Sequence, residues 1–143
     1  MSPVHVEHIG IAVRDLESAI GIYETLLGVK CYGVESVEDQ GVRTAFFQIG
    51  KMKIELLAPS GPEGPIARFL EKKGEGVHHL AIAVENLPGA LSELVSKGFR
   101  LIDAEPRRGA EGLSIAFVHP KSTGGVLIEL CEHPGQTESP SGR

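Results

Sequence analysis

The sequence has no tryptophan, and aromatic residues make up 5% of its 143 positions. Platforms that stack single-stranded bases need more rings than this. An excess of positive charge is missing too: Lys+Arg 14 against Asp+Glu 19 gives a formal net charge of -5. No basic stripe can follow a phosphate backbone, so no nucleic-acid partner is expected. No apolar run approaches the roughly 20 residues of a bilayer-spanning helix, so no membrane partner is expected. The first residues lack a basic segment followed by an apolar one, which argues against a signal peptide and for a cytoplasmic protein. Cys31 and Cys131 are too few for a disulfide framework and read as small strand residues. A hydrophobic fraction of 41% remains. That suffices for one domain, or for two small halves sharing a core.

One short phrase is written twice. "HIGIAV" starts at His8 and "HLAIAV" at His79. With one laid over the other, Ile11, Ala12 and Val13 meet Ile82, Ala83 and Val84. Leu16 meets Leu87, and Ala19 meets Ala90. A helix signal follows each phrase. Asp15 caps a stripe of Leu16, Ala19, Ile20, Tyr23 and Leu27 that stops at Gly28. Asn86 caps a stripe of Leu87, Ala90, Leu91 and Leu94 that stops at Gly98, with Pro88 in its first turn. Three strand-like runs then close each half. They are "KCYGVESV", "VRTAFFQIG" and "KMKIELLA" in the first, and "FRLIDAE", "LSIAFVH" and "GVLIELCE" in the second. "EDQG", "RRGAEG" and "PKSTGG" read as turns.

The expected organisation is therefore a single domain of α+β class. A first βαβββ module covers 4–58, and a linker with a short helix, "IARFLEKKGEG", covers 59–76. A second module covers 77–133, and a frayed tail covers 134–143. The two modules are expected to form a curved eight-stranded mixed sheet with helices on its outside.

Strand side chains alternate between faces. Ile9, Ile11 and Val13 should lie under the first helix, leaving His8 over Gly10 and Ala12. Leu80, Ile82 and Val84 repeat this, leaving His79 over Ala81 and Ala83. Small side chains beside each histidine predict a hollow. Each last strand sets a lone carboxylate, Glu55 or Glu129, against a face of Met52, Ile54 and Leu56 or of Val126, Ile128 and Leu130. A carboxylate in an apolar strand is costly against a dry core and tolerable beside a cation. His8, Glu55, His79 and Glu129 thus make a candidate divalent-metal site, with two imidazoles and two carboxylates to balance a dication. Four protein ligands leave two positions open on an octahedral ion. His78 should point away from His79 and serve packing or hydrogen bonding, while His5, His119 and His133 read as solvated. Arg107, Arg108 and Lys121 offer positive charge near turns.

These residues, with "EDQGV", "GEGVHHLAIAV", "AEPRRGAEG" and "HPKSTGGVLIEL", resemble the vicinal oxygen chelate (glyoxalase-like) superfamily and, within it, the methylmalonyl-CoA epimerase family. The resemblance runs from about Val4 to His133. It implies a homodimer and a divalent ion on His8, Glu55, His79 and Glu129. Cobalt is the first choice, with manganese, nickel or zinc as others. It implies an acyl-CoA substrate whose (R) and (S) epimers interconvert by proton transfer through an enolate, and Glu129 as both ligand and base. Arg107, Arg108 and Lys121 would meet the substrate's phosphates. Some members of the family carry a second catalytic Glu where this chain has Thr44, which cannot act as a base at neutral pH. Glu55, doubling as ligand, is the expected substitute, with Glu38 or a metal-bound water as the alternatives. Other activities on the same scaffold are a glyoxalase I-like lactoylglutathione lyase, an extradiol dioxygenase and a metal-free small-molecule-binding module.

Overall fold

The structure, a computed structural model, describes residues 1–135. The last part of the expected tail, 136–143, lies outside the described residues. Among the described residues, eight strands of mixed direction and three α-helices follow one another as βαβββ, helix, βαβββ. The chain divides into two compact units, one of His8–His78 and one of Met1–Glu7 with His79–Arg143. Each repeated histidine is the first residue of its strand in its own unit.

In the unit of His8–His78, β1 (Pro3–Ala12) leads into α1 (Leu16–Leu27). β2 (Gly33–Val37), β3 (Val42–Ile49), β4 (Met52–Pro59) and α2 (Pro65–Lys73) follow. The strand order is β2-β3-β4-β1, with β4 parallel to β1 and the other pairs antiparallel. α1 begins where predicted: Asp15 Oδ1 accepts from the Ser18 N–H at 3.0 Å. It ends where Gly28 turns left-handed at φ 71. Its stripe of Leu16, Ala19, Ile20, Tyr23 and Leu27 packs with Val13, Ala45, Phe47, Leu56 and Ala58. The opposite face of the sheet is covered at one end by Ile66 and Leu70 of α2, which pack with Ala12, Val42 and Leu57. The short connecting helix expected from "IARFLEKKGEG" is α2, and its carboxyl end is capped at Gly74.

In the other unit, β5 (Gly76–Val84) leads into α3 (Leu87–Ser96). β6 (Arg107–Arg108), β7 (Ser114–Val118) and β8 (Ile128–Glu132) follow. The order is β5-β8-β7-β6, with β8 parallel to β5. Asn86 Oδ1 caps α3 by accepting from the Gly89 N–H at 3.1 Å. Glu132 Oε1 adds a second cap, accepting from the Leu87 N–H at 2.7 Å. Leu87, Ala90, Leu91 and Leu94 pack with Val84, Ala116, Val118 and Leu130.

Two expectations need correction. "FRLIDAE" is not a full strand. Leu101 alone makes a bridge to Val118, and the strand paired with β7 is Arg107–Arg108, inside the expected turn. Asp103 explains this: its Oδ2 accepts from the Phe117 N–H at 2.8 Å, and the Ile102 N–H donates to the Phe117 carbonyl at 2.8 Å. A short acidic side chain has taken the place of a backbone ladder. The hollow beside His79 is also smaller than expected, because Ala81 and Ala83 pack with Leu113, Ile115 and Cys131. Ala12 is likewise covered by α2.

Candidate metal centre

Parallel pairing of the first and last strands of each βαβββ unit builds the same arrangement twice. In the first, Glu55 of β4 lies directly across from Gly10, two residues beyond His8. In the second, Glu129 of β8 lies directly across from Ala81, two residues beyond His79. Gly10 and Ala81 thus set the smallest side chains directly opposite the two carboxylates. His8 Nδ1 is 3.2 Å from Glu55 Oε2, and His79 Nε2 is 3.2 Å from Glu129 Oε1. All four residues are buried, His8 at 3%, Glu55 at 4%, His79 at 6% and Glu129 at 4% exposure. Buried charge on this scale calls for compensation.

The donor chemistry fits a divalent metal. An imidazole nitrogen and a carboxylate oxygen on one ion at about 2.1 Å stand ~3.0 Å apart on an octahedral edge and ~3.4 Å apart on a tetrahedral one. The 3.2 Å separation in each pair lies between those edges. Two nitrogens and two carboxylate oxygens suit several first-row ions and do not select one of them. His8, His79 and Glu129 form a group of candidate metal ligands, and so do Glu7, His8 and Glu55.

Around His79 the support is aromatic. Phe117 meets the imidazole edge-on, with ring centroids 5.6 Å apart. The Arg107 guanidinium sits over the Phe117 ring, 5.6 Å from its centroid, and Arg107 Nε donates to Asp103 Oδ1 at 3.0 Å. Of the three cationic residues singled out from the sequence, Arg107 therefore stands near the His79–Glu129 pair. Arg108 is exposed opposite Ser114, and Lys121 is exposed in a 3₁₀ turn.

Several polar residues were missed or misread from sequence. Glu7 is buried at 2% and Lys53 at 7% exposure. Lys53 lies across from His8, and its spacing of two from Glu55 was the available signal. Glu7 escaped because it occupies the position before the motif. His133 is not simply solvated, as its Nε2 lies 3.2 Å from Glu7 Oε2 and its ring stacks on His5. His119 Nδ1 accepts from the Lys121 N–H at 3.0 Å and so caps a turn. His78 packs edge-on against Phe69 at 4.9 Å, as a packing role requires. Thr44 is buried at 2% exposure on β3.

The tandem βαβββ fold, with a His–Glu pair in each half, defines the class to which the chain is compared. Residues 7–117 match the Glyoxalase/Bleomycin resistance protein/Dioxygenase superfamily, and the chain belongs to it. An uncharacterized protein of Bacillus subtilis is 46% identical over 130 residues, covering 91% of this chain and 93% of its own. The mitochondrial methylmalonyl-CoA epimerase of Homo sapiens is 41% identical over 126 residues, covering 87% of this chain and 72% of its own. Among solved structures, a variant of Streptomyces coelicolor methylmalonyl-CoA epimerase in complex with 2-nitronate-propionyl-CoA superposes with a TM-score of 0.91. It shares 36% identity and covers 97% of this chain and 100% of its own.

Proposed function

We propose that this chain is a methylmalonyl-CoA epimerase, interconverting the (R) and (S) epimers of methylmalonyl-CoA. The observation that carries the reading is the pair of equivalent buried His–Glu sets, His8–Glu55 and His79–Glu129, in a chain whose relatives include named epimerases. In this reading the four residues hold one divalent ion. Cobalt is the first choice, with manganese, nickel or zinc as alternatives. When bound there, the ion supplies Lewis acidity toward the two oxygens of a 1,3-dicarbonyl substrate.

The chain's own residues do the rest. The α-hydrogen sits between a carboxylate and a thioester, so removing it delocalises the C–H electron pair into the thioester carbonyl. Epimerisation then requires a proton to return to the opposite face of the same carbon. Glu129 takes the proton on one face. In the simplest version Glu55 serves the other face, each carboxylate being both ligand and base. Burial of both carboxylates excludes water and strengthens their action on a charge that develops during reaction. Arg107, held by Asp103 and Phe117, is assigned to the substrate's anionic end, with Arg108 and Lys121 as outlying cations. The finer reading is a cytoplasmic homodimer. Each chain acts as a single domain, with modules at 4–58 and 77–133.

The test uses cobalt-loaded protein and one epimer of methylmalonyl-CoA in D₂O, following the other epimer together with α-deuterium. Both should appear, and both should be lost in Glu129→Gln and on chelation. If neither appears in protein with cobalt bound, the reading fails. Turnover of the glutathione hemithioacetal of methylglyoxal would then favour the lactoylglutathione lyase.

A further inference from the structure

Asp103 holds two elements at once. Its Oδ2 accepts from the Phe117 N–H at 2.8 Å, and its Oδ1 accepts from Arg107 Nε at 3.0 Å. The Asp103 N–H also donates to the Phe117 carbonyl at 3.3 Å, so backbone and side chain are both fastened to β7. From this anchored position the second oxygen reaches a guanidinium.

Arg107 lies across from Ile115, and Phe117, two residues further along β7, lies across from Glu129. Paired residues share a face of the sheet, so Arg107 is on the face that carries the His79–Glu129 pair. Its guanidinium carbon is 5.6 Å from the centre of the Phe117 ring, and that ring is 5.6 Å from the His79 ring. The Arg107 side chain is 40% exposed, and such a chain ordinarily samples many rotamers. Here the ring beneath it and the carboxylate at Nε restrict it. A guanidinium carries five N–H donors in a rigid fork. Among the described residues Asp103 takes the one on Nε, which leaves the terminal nitrogens for a ligand.

Distance along the substrate decides which group the fork meets. In the epimerase reading the carboxylate and thioester oxygens both face the ion. Past the thioester sulfur, two methylenes and a nitrogen lead to the first amide carbonyl of the pantetheine arm. The diphosphate follows only after a second amide and a branched hydroxy-acid segment. An extended arm puts it about 15 Å from the sulfur, at the peptide rise of roughly 3.5 Å for every three bonds. Two contacts of 5.6 Å each separate the guanidinium from the imidazole. That span suits the amides and falls short of the diphosphate. The Phe117 ring offers the arm's methylenes an apolar surface beside the fork.

We infer that Asp103 is a positioning residue for substrate binding, setting the Arg107 fork to donate to an amide carbonyl of the pantetheine arm. This rests on the epimerase reading and replaces its assignment of Arg107 to the anionic end. Arg107 touches the substrate, and Asp103 acts through it. A fork held in place before binding loses less side-chain freedom when the substrate arrives. The arm lies away from the reacting carbon, so the contact is the same in substrate and enolate. It therefore acts on KM and not on kcat.

The test measures interconversion by cobalt-loaded wild type, Asp103→Asn, Arg107→Met and the double variant Asp103→Asn/Arg107→Met. Each is given methylmalonyl-CoA and, separately, methylmalonyl-pantetheine, which has the arm and no phosphate. Asparagine keeps an oxygen for the Phe117 N–H and sets an amide NH₂ against Nε. Asp103→Asn should raise KM about fivefold and Arg107→Met about tenfold, on both substrates, with kcat within about twofold of wild type. The double variant should match Arg107→Met alone, because Asp103 works only through Arg107. A merely structural Asp103 would add its own loss, so additive effects overturn the positioning role, as does an unchanged KM in Asp103→Asn. A KM for methylmalonyl-pantetheine that ignores Arg107→Met overturns the arm contact and returns Arg107 to the phosphates. Wild type that binds cobalt and interconverts neither substrate overturns the epimerase reading itself.

Discussion

Phe117 meets His79 edge-on, with the ring planes at 84°, and lies directly across the β7–β8 ladder from Glu129. One aromatic side chain thus braces both members of a His–Glu pair. A ring's positive edge and its volume restrict how the imidazole can turn. Phe117→Leu keeps an apolar side chain and removes the brace. Calorimetric titration with Co²⁺ should show about a tenfold loss of affinity, the lower end for a residue that only orients a ligand. Unchanged affinity would mean that the strand backbone alone positions His79.

Direct ligands should matter more. His8→Ala and His79→Ala should each lower Co²⁺ affinity by more than about 100-fold. The two substitutions fall in different units, so equal sensitivity is what a shared ion requires. If one variant binds as wild type does, the two pairs do not serve one centre.

Gly41 and Gly64 touch through their backbones. A Cβ on Gly41, at φ 65, would come 2.8 Å from the Glu63 carbonyl oxygen. One on Gly64, at φ 113, would come 2.9 Å from that of Gln40. Both clashes are with backbone, and both glycines have dihedrals that side chains resist. Gly41→Ala and Gly64→Ala should each cost about 1–3 kcal/mol in chemical denaturation. Gly50→Ala is the control. Its φ of 60 is also left-handed, but its surroundings are open, so it should cost about 1 kcal/mol. Equal costs at all three positions would show that only the dihedral counts.

The helix caps separate in the same way. Asp15→Ala removes an acceptor for Ser18 and should cost about 1 kcal/mol. Asn86→Ala should cost less, since Glu132 still receives the Leu87 N–H at the start of α3. A larger loss at Asn86 would show that the Glu132 bond adds nothing.

At the exposed end of α3, hydrogen bonds from Lys97 and from the terminal ammonium of Met1 hold the Glu93 carboxyl at about 2, well below its usual 4.5. A depressed acid favours the folded state above its unfolded value. That contribution disappears as pH falls from about 4.5 toward about 2. Glu93→Gln should therefore melt slightly below wild type at neutral pH and match it at the acid end. Molar salt should shrink the difference, because the groups are exposed. A gap that persists in acid would need another cause.

Local features of the chain determined most of the fold. Alternation marked β1, β4, β5 and β8, and Asp15 and Asn86 marked where α1 and α3 begin, because capping and periodicity act over a few residues. The same alternation placed His8, Glu55, His79 and Glu129 on the faces away from the helices. The chain could not by itself show that Glu55 leans over Gly10 or Glu129 over Ala81, since parallel register is set by strands far apart in sequence. Tertiary structure also decided against a full strand in "FRLIDAE", where the side chain of Asp103 competes with the ladder. It filled the space beside Ala81 and Ala83 with Leu113 and Ile115. And it turned Glu35 inward beside Thr44, because the face of an edge strand is fixed by its partner's register and not by the polarity of its own residues.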